Sequence, residues 1–232
     1  MRIVVFQHAP HEGLGLFQPL FDADGHQVTI FRPDLGGPAP DLSRFDGLWV
    51  LGGAVQIWQA ETLDWLRHEL ALVRRAVVDL NMPFFGICLG HQMLAHVLGG
   101  RVGPARRPEI GISSVQLSPE RPEFLGVAAS IQTFQWHSAE VTAVPPDCQV
   151  TAWSPACGVQ ALSWGATARS VQFHPEVDQA GLRIWAMDPA VGEAFDQANG
   201  AGAMEACLEQ MNAMRSETLR LAEQLYRNWL AD

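Results

Sequence analysis

Short apolar runs alternate with segments of helical periodicity through the first half of the chain. The runs lie at residues 3–7, 27–31, 48–51 and 84–88 and are rich in Val, Ile and Phe. Runs that are apolar at successive positions suit strands of a parallel sheet covered by helices on both faces. We therefore predict an α/β fold with a doubly wound, mostly parallel sheet flanked by helices.

Two later regions have different patterns. Between residues 60 and 80, apolar side chains recur every three or four positions, which predicts an amphipathic helix that ends near Asn81 and Pro83. From residue 111 to 171, short alternating pieces are separated by Pro and Gly. These pieces, which include residues 113–117, 149–153 and 170–173, favour an antiparallel extension of the sheet.

The chain beyond residue 180 returns to helical periodicity. We find no internal repeat, low-complexity tract or linker along the sequence. The economical prediction is one domain over residues 1–232, with a core of about 1–180 and a helical C-terminal extension of about 180–232.

Composition excludes several classes of function. The formal net charge of −10 opposes binding to nucleic acid or to anionic membrane surfaces. All 15 cationic side chains are Arg. Without Lys, the chain lacks the amine for Schiff-base chemistry, pyridoxal-phosphate anchoring or a phosphate-binding P-loop. No apolar segment is long enough for a signal-peptide core or a membrane span, so we expect a cytoplasmic protein.

The four cysteines, Cys88, Cys148, Cys157 and Cys207, have neither zinc-site spacing nor the density of a disulfide scaffold. Cys88 stands out, because an apolar run leads into Gly86-Ile87-Cys88-Leu89-Gly90 and then a helical segment. Small residues two before and two after a nucleophile are what a sharp strand-turn-helix elbow requires. We interpret Cys88 as a nucleophile at a helix N-terminus, which favours the thiolate, and not as a buried core residue.

A nucleophilic cysteine needs a base. His174 precedes Pro175, which holds it in extended backbone, so that the side chains of His174 and Glu176 project to the same side and can pair. The carboxylate would orient the imidazole and raise its pKa. Two other histidines, His8 and His11, fit no metal site because Pro10 interrupts them; we interpret them as surface or turn residues.

These motifs together resemble the class I glutamine amidotransferases of the triad type, and the texture is similar to the glutaminase domain of GMP synthase. The resemblance covers about residues 1–180. It rests on the elbow, on the segment Phe173-His174-Pro175-Glu176, on the Gly52-Gly53 turn and on Gln135-Trp136-His137.

The resemblance implies a role for each matching residue. Cys88 would be the nucleophile, His174 the acid and base, and Glu176 the group that orients it. The backbone N–H groups of Gly53 and Leu89 would form the oxyanion hole. The substrate's α-amino and α-carboxylate groups would be held by Gln92 and by the main chain around Gln135 and Trp136, with His137 affecting substrate binding or loop order. No metal and no organic cofactor has a role in this chemistry.

The chain departs from the family pattern after the oxyanion glycine, where Ala54 replaces the usual Pro. Apolar side chains follow at Val55, Ile57 and Trp58, either as packing at a helix start or as a pocket for the leaving group.

Three functions stay open. The main hypothesis is independent hydrolysis of a small γ-glutamyl amide or peptide through a γ-glutamyl thioester. One alternative is a glutaminase subunit that passes ammonia to a separate synthetase; another is a catalytically silent binding module. The partner is accordingly a small-molecule γ-glutamyl substrate, with a synthetase or a homo-oligomer as the protein partner.

Overall fold

The computed structural model describes residues 1–118 and 121–231, which contain one nine-stranded mixed sheet. Its strands are β1 (Arg2–Phe6), β2 (Gln27–Phe31), β3 (Gly47–Val50), β4 (Phe84–Ile87), β5 (Arg101–Leu117), β6 (Ser130–Ala143), β7 (Cys148–Trp153), β8 (Ala161–Trp164) and β9 (Ala168–Val171). The α-helices are α1 (Gln18–Ala23), α2 (Asp64–Arg74), α3 (Leu89–Val97), α4 (Gln179–Trp185), α5 (Pro189–Asn199), α6 (Ala203–Ala213) and α7 (Arg215–Ala231).

The strand order is β2-β1-β3-β4-β9-β8-β7-β5-β6. The first five strands in this order are parallel, and the others join antiparallel. The predicted fold class is therefore confirmed, with a parallel half that carries the crossovers and an antiparallel extension. The carboxyl ends of β3, β4 and β9 lie side by side, which is where open α/β sheets place their ligands.

The alternating side chains of β1 show why the sheet is covered on both faces. Ile3 and Val5 belong to one core cluster, whereas Val4 and Phe6 belong to the cluster on the opposite face. On this second face, α2 contributes its stripe of buried apolar side chains. The predicted amphipathic helix is present, but its last part, Arg75–Asp79, is π-helical and its first turn is a separate 3₁₀ turn.

The final helix, α7, belongs to the first core cluster. Trp229 meets Trp49 edge-on at a centroid distance of 5.2 Å and stacks on Phe21 at 6.4 Å. Aromatic pairs in these geometries contribute about 0.5–1.5 kcal/mol beyond the area they bury. This packing onto the β-sheet supports the prediction of a single domain and places part of the C-terminal extension in the core.

A third cluster, formed by α4, α5 and α6, covers the sheet edge where β6 and β9 end. Trp185 and Phe195 are buried there against Phe134 of β6. The indole N–H of Trp185 donates to the carbonyl oxygen of His11, 3.0 Å away. In the described residues, no helix has the length and apolar character needed to cross a membrane.

Candidate active site

Cys88 occupies a sharp turn between β4 and α3. Its backbone has φ 51° and ψ −99°, a conformation that non-glycine residues seldom adopt. The neighbouring glycines permit the turn: a Cβ at Gly86 would lie 2.6 Å from the backbone of Gly90, and a Cβ at Gly90 would overlap the carbonyl oxygen of Val50. Strain that is held in place by close packing is common at functional sites. The structure thus contains the elbow that the Gly-x-Cys-x-Gly spacing predicts.

The elbow places the thiol at the N-terminus of α3. Helix α3 begins at Leu89, so Cys88 is the N-cap residue, and the positive end of the helix dipole lies beside its sulfur. Such a position favours a thiolate. The thiol is 6% exposed, and its Sγ lies 3.8 Å from the carbonyl oxygen of Trp136.

His174 and Glu176 follow the neighbouring strand β9 and form a buried pair. The distance from His174 Nδ1 to Glu176 Oε1 is 2.6 Å, and the two side chains are 3% and 6% exposed. The ring of Trp185 meets the imidazole edge-on at 5.3 Å and shields it from solvent. The backbone N–H of His174 donates to Phe134 of β6, which fixes the position of the pair.

The imidazole of His174 has a pKa well above its ordinary value. Burial lowers this pKa, but the carboxylate of Glu176 and the adjacent Cys88, through charge and hydrogen bonding, outweigh that effect. A Cβ built at Gly52 would lie 3.0 Å from His174 Cε1 and 3.7 Å from Cys88 Cβ, so both side chains converge on this glycine. The three residues predicted to form the triad are together.

The Gly52-Gly53 turn follows β3 and lies beside the elbow. A Cβ at Gly53 would lie 2.8 Å from Leu89 Cδ2 and 3.0 Å from His8 Cβ, so only glycine fits without movement. The two residues predicted to supply the oxyanion N–H groups, Gly53 and Leu89, are therefore neighbours. A tetrahedral oxyanion needs two such fixed donors.

The predicted substrate residues lie around the elbow, and all are buried or nearly so. The amide nitrogen of Gln92 lies 3.2 Å from Gln172 Oε1 and 3.4 Å from the carbonyl oxygen of Ala139. This inward pairing shows that Gln92 is not a solvated helix amide. Its contact with substrate stays a prediction.

The segment from Gln135 to His137 lies on β6. The Gln135 side chain is fully buried, and within the described ranges neither of its amide atoms has a hydrogen-bond partner. Main chain of this segment reaches the nucleophile at Trp136. His137 points elsewhere: its Nδ1 donates to the carbonyl oxygen of Ala139 at 3.0 Å, and its Nε2 lies 3.3 Å from Glu109 Oε2. This arrangement fits a role in loop order.

The apolar residues after the oxyanion turn divide between core and surface. Ile57 is 3% exposed and belongs to the core cluster around α2, with Val55 packed against that cluster. Trp58 is 42% exposed. Helix-start packing therefore describes Ile57, while Trp58 is the side chain that is free to meet a leaving group.

Glu109, His137 and Cys157 bring three potential metal ligands within 4.8 Å of one another. The carboxylate of Glu109 accepts hydrogen bonds from Ser154 and from Gln160, the latter at 2.7 Å. The Cys157 thiol donates to the carbonyl oxygen of Val159 at 3.4 Å, and burial raises its pKa to about 12. A protonated thiol and a carboxylate that already accepts several hydrogen bonds form a structural network, which the sequence pattern did not reveal.

The structure corrects the interpretation of His8. This histidine lies in a turn, as predicted, but its side chain is 4% exposed and pairs with the fully buried Glu69 of α2. A surface location for His8 is therefore wrong, whereas His11 is exposed. The partners are 61 residues apart, so no local pattern connects them.

Comparison with known proteins agrees with this geometry. The family model for glutamine amidotransferase class-I matches residues 21–181. The chain is 35% identical over 154 residues to the glutamine-hydrolyzing subunit of GMP synthase from Ignicoccus hospitalis, an alignment that covers 66% of this chain and 77% of that protein. The corresponding protein of Sulfolobus acidocaldarius is 36% identical over 154 residues, covering 66% and 78%.

Solved structures reproduce the whole architecture. A glutamine amidotransferase from Thermotoga maritima superposes with a TM-score of 0.90 at 24% identity, covering 100% of this chain and 99% of the other. A glutamine amido transferase from Methylobacillus flagellatus gives 0.87 at 26% identity, covering 99% and 94%. Both superpositions include the C-terminal helices. Because the family model spans more than half of its residues, the chain belongs to the class I glutamine amidotransferase family.

Proposed function

We propose that the protein hydrolyses the γ-amide of glutamine through a thioester at Cys88, with His174 as acid and base and Glu176 as the group that orients it. One observation carries the proposal: a cysteine strained into an elbow at a helix N-terminus faces a buried histidine-carboxylate pair. A histidine with a raised pKa beside a thiol favours the thiolate-imidazolium form, which is the reactive one.

The first half of the reaction forms the thioester. The Cys88 thiolate attacks the γ-carbonyl carbon, and the new oxyanion accepts hydrogen bonds from the N–H groups of Gly53 and Leu89. The His174 imidazolium gives its proton to the amide nitrogen as the carbon–nitrogen bond breaks. Ammonia leaves, and the glutamyl group remains bonded to sulfur.

The second half restores the enzyme. The neutral His174 imidazole takes a proton from a water molecule while the water oxygen attacks the thioester carbonyl. The tetrahedral intermediate collapses, the carbon–sulfur bond breaks, and glutamate leaves. The thiolate and the imidazolium are regenerated together, and the Glu176 carboxylate stabilises the imidazolium in both halves of the cycle.

We further propose that the ammonia is delivered to a separate synthetase. The support comes from the relatives in Ignicoccus hospitalis and Sulfolobus acidocaldarius, each of which is named as the glutamine-hydrolyzing subunit of GMP synthase. A protein named as a subunit works with a partner that uses the product. This proposal replaces the independent hydrolase as the leading hypothesis.

A second candidate function keeps the same chemistry with a larger leaving group. It is favoured by Trp58, a large apolar side chain that is 42% exposed just beyond the oxyanion turn. An apolar wall has no use for ammonia, but it buries the alkyl or aryl part of an amine. In this case the protein acts alone on γ-glutamyl amines.

One experiment tests the chemistry and separates the two candidates. The purified protein is incubated with glutamine and with a panel of γ-glutamyl amines, and glutamate release is measured. Turnover of glutamine that is weak alone supports a subunit that awaits its partner, and efficient turnover of an amine with the protein alone supports the hydrolase. Release of glutamate from none of these substrates, with Cys88 also unlabelled by the glutamine analogue 6-diazo-5-oxo-norleucine, overturns the proposal.

A further inference from the structure

A buried histidine holds the Gly52-Gly53 turn from the side opposite the elbow. Nδ1 of His8 lies 2.7 Å from the carbonyl oxygen of Gly52, while its Nε2 lies 2.9 Å and 3.1 Å from the two carboxylate oxygens of Glu69. A carbonyl oxygen and a carboxylate both accept hydrogen bonds, so both ring nitrogens donate. The ring is then an imidazolium whose two hydrogen bonds connect helix α2 to the turn.

Geometry transmits this anchor to the oxyanion donor. The carbonyl of Gly52 and the N–H of Gly53 belong to the same planar peptide unit, and the described residues contain no cis peptide bond. In a trans peptide the C=O and the N–H point in opposite directions. Fixing the Gly52 oxygen on His8 therefore fixes the direction of the Gly53 N–H, which points away from His8.

The turn needs such an anchor because its sequence supplies little rigidity. Two glycines in succession have the largest conformational freedom in the unfolded chain, and the next residue, Ala54, does not restrict its own φ as a proline would. A donor that must stabilise an oxyanion gains from being held before the reaction, because no reorganisation is then needed. In this chain the restraint comes from a side chain that follows a different strand.

The surroundings of His8 keep the ring charged and in place. Burial lowers its pKa, but the charge and hydrogen bonds of Glu69, the Gly52 carbonyl and the charge of Glu12 raise it above the ordinary value on balance. Arg32 donates to the carbonyl oxygen of His8 at 3.2 Å and is itself paired with Asp34. The pair is therefore fixed at its backbone and at both ring nitrogens.

We propose that His8, held by Glu69, is a positioning residue that presets the Gly53 N–H for the oxyanion. The proposal rests on the proposed thioester chemistry. It predicts that losing the imidazole lowers the rate of the chemical step while substrate binding stays nearly intact. A residue that only stabilises the fold would lower the melting temperature without this selective effect.

Kinetics of His8 variants supply the first test. For His8→Ala we expect kcat for glutamine to fall about 10–100-fold with KM changed less than about threefold, because the oxyanion meets a misdirected donor. Asn can donate to the Gly52 carbonyl from near the Nδ1 position, so His8→Asn should recover most of the loss. His68→Ala, an exposed histidine beside Glu69, and Glu123→Gln, a buried carboxylate elsewhere, are the matched controls and should keep wild-type kcat.

Nuclear magnetic resonance supplies a test that needs no turnover. In ¹⁵N-labelled protein, His8→Ala should shift the Gly53 amide resonance and speed its hydrogen exchange, and His8→Asn should reverse both changes. Unchanged kcat in His8→Ala, or an unchanged Gly53 amide, overturns the positioning role and leaves the proposed function standing. If wild-type protein hydrolyses no glutamyl amide, the proposed function fails, and the Gly53 amide still decides the role of His8.

Discussion

The side chains of His174 and Glu176 pair at 2.6 Å across a single intervening proline. The extended backbone before Pro175 projects both side chains to the same side, so a local sequence motif generates a buried charge pair. Their position beside the elbow turns this motif into the acid-base half of the site. The pair also explains how an imidazole can carry a proton although it is buried, since burial alone favours the neutral ring.

Replacing the carboxylate should move the pH profile in a definite direction. In Glu176→Gln the charge that raises the His174 pKa is lost while burial, which lowers it, remains. The imidazolium then loses its proton at lower pH, so the alkaline limb of kcat/KM should shift to lower pH, with a smaller loss of activity than in His174→Ala. Steady-state rates across the pH range measure this shift. An alkaline limb in the wild-type position would show that Glu176 does not control the proton.

The same pair predicts how stability depends on pH. A group whose pKa is raised on folding adds stability that is complete below its unfolded pKa of about 6.5. That stability is lost as the pH rises through the higher folded pKa of His174. Thermal unfolding of wild type should therefore show a stability advantage over Glu176→Gln that shrinks toward alkaline pH. An advantage that grows with pH would contradict the sign of this linkage.

Cys88 should be essential for turnover and dispensable for folding. Cys88→Ala removes the nucleophile, and we expect kcat to fall by at least about 10⁴-fold. Because the thiol does little packing and the elbow remains strained, the melting temperature should stay close to wild type or rise slightly. Cys148→Ala is the matched control, with wild-type rates expected. Glutamate release and calorimetry measure both quantities; near-wild-type activity in Cys88→Ala would exclude the thioester.

Alkylation should single out Cys88 among the four thiols. Burial is the main reason that the pKa of Cys148 and of Cys207 is raised to about 11 and that of Cys157 to about 12. The helix N-terminus and the His174 imidazolium favour the thiolate at Cys88 instead. Brief iodoacetamide treatment at neutral pH, followed by peptide mass spectrometry, should label Cys88 first. Earlier modification of any other cysteine would refute the electrostatic account.

The sequence predicts those parts of the molecule that depend on local chemistry. The run at 27–31 coincides with β2, and the glycine spacing around Cys88 predicts the elbow because both follow from backbone sterics within a few residues. The register of β5 and β6 is a long-range property. Their pairing, such as Glu109 opposite His137, joins positions that no local periodicity links, and β6 has no predicted counterpart.

Side-chain partners across the fold are long-range properties as well. The nearby Pro10 makes His8 resemble a turn residue, whereas its charge state and burial depend on Glu69 of α2. A single glutamate on an amphipathic helix carries no sign that it faces inward. The sequence signal that exists is weak: Glu69 is adjacent to Leu70 and three residues after Leu66, on the buried face of α2.

Gly90 should be intolerant of even one methyl group. A Cβ there would overlap the carbonyl oxygen of Val50, which is backbone of β3 and cannot rotate away. We expect Gly90→Ala to lower the free energy of unfolding by about 1–3 kcal/mol or more through overpacking and to displace Cys88. Gly192→Ala is the matched control, because nothing lies within 4 Å of its Cβ position in α5. That control should be neutral or stabilising by up to about 1 kcal/mol. Denaturant unfolding compares the two, and equal stability of both variants would argue against a tight elbow.

The final prediction concerns the leaving group. Ile57 is committed to the core, which leaves Trp58, at 42% exposure, as the apolar side chain available beyond the oxyanion turn. Burying apolar surface is worth about 25 cal/mol per Å², so a medium-sized amine substituent gains about 1–3 kcal/mol over ammonia if it contacts this ring. If the second candidate function is right, γ-glutamyl amides of hydrophobic amines have a higher kcat/KM than glutamine in wild type, and Trp58→Ala removes that advantage without slowing glutamine turnover. Trp153→Ala, which removes a tryptophan of similar exposure (44%) on β7, should leave the ratio of the two substrates unchanged. A wild-type preference for glutamine, or an equal loss on both substrates in Trp58→Ala, would assign the tryptophan a structural role and favour the subunit that delivers ammonia.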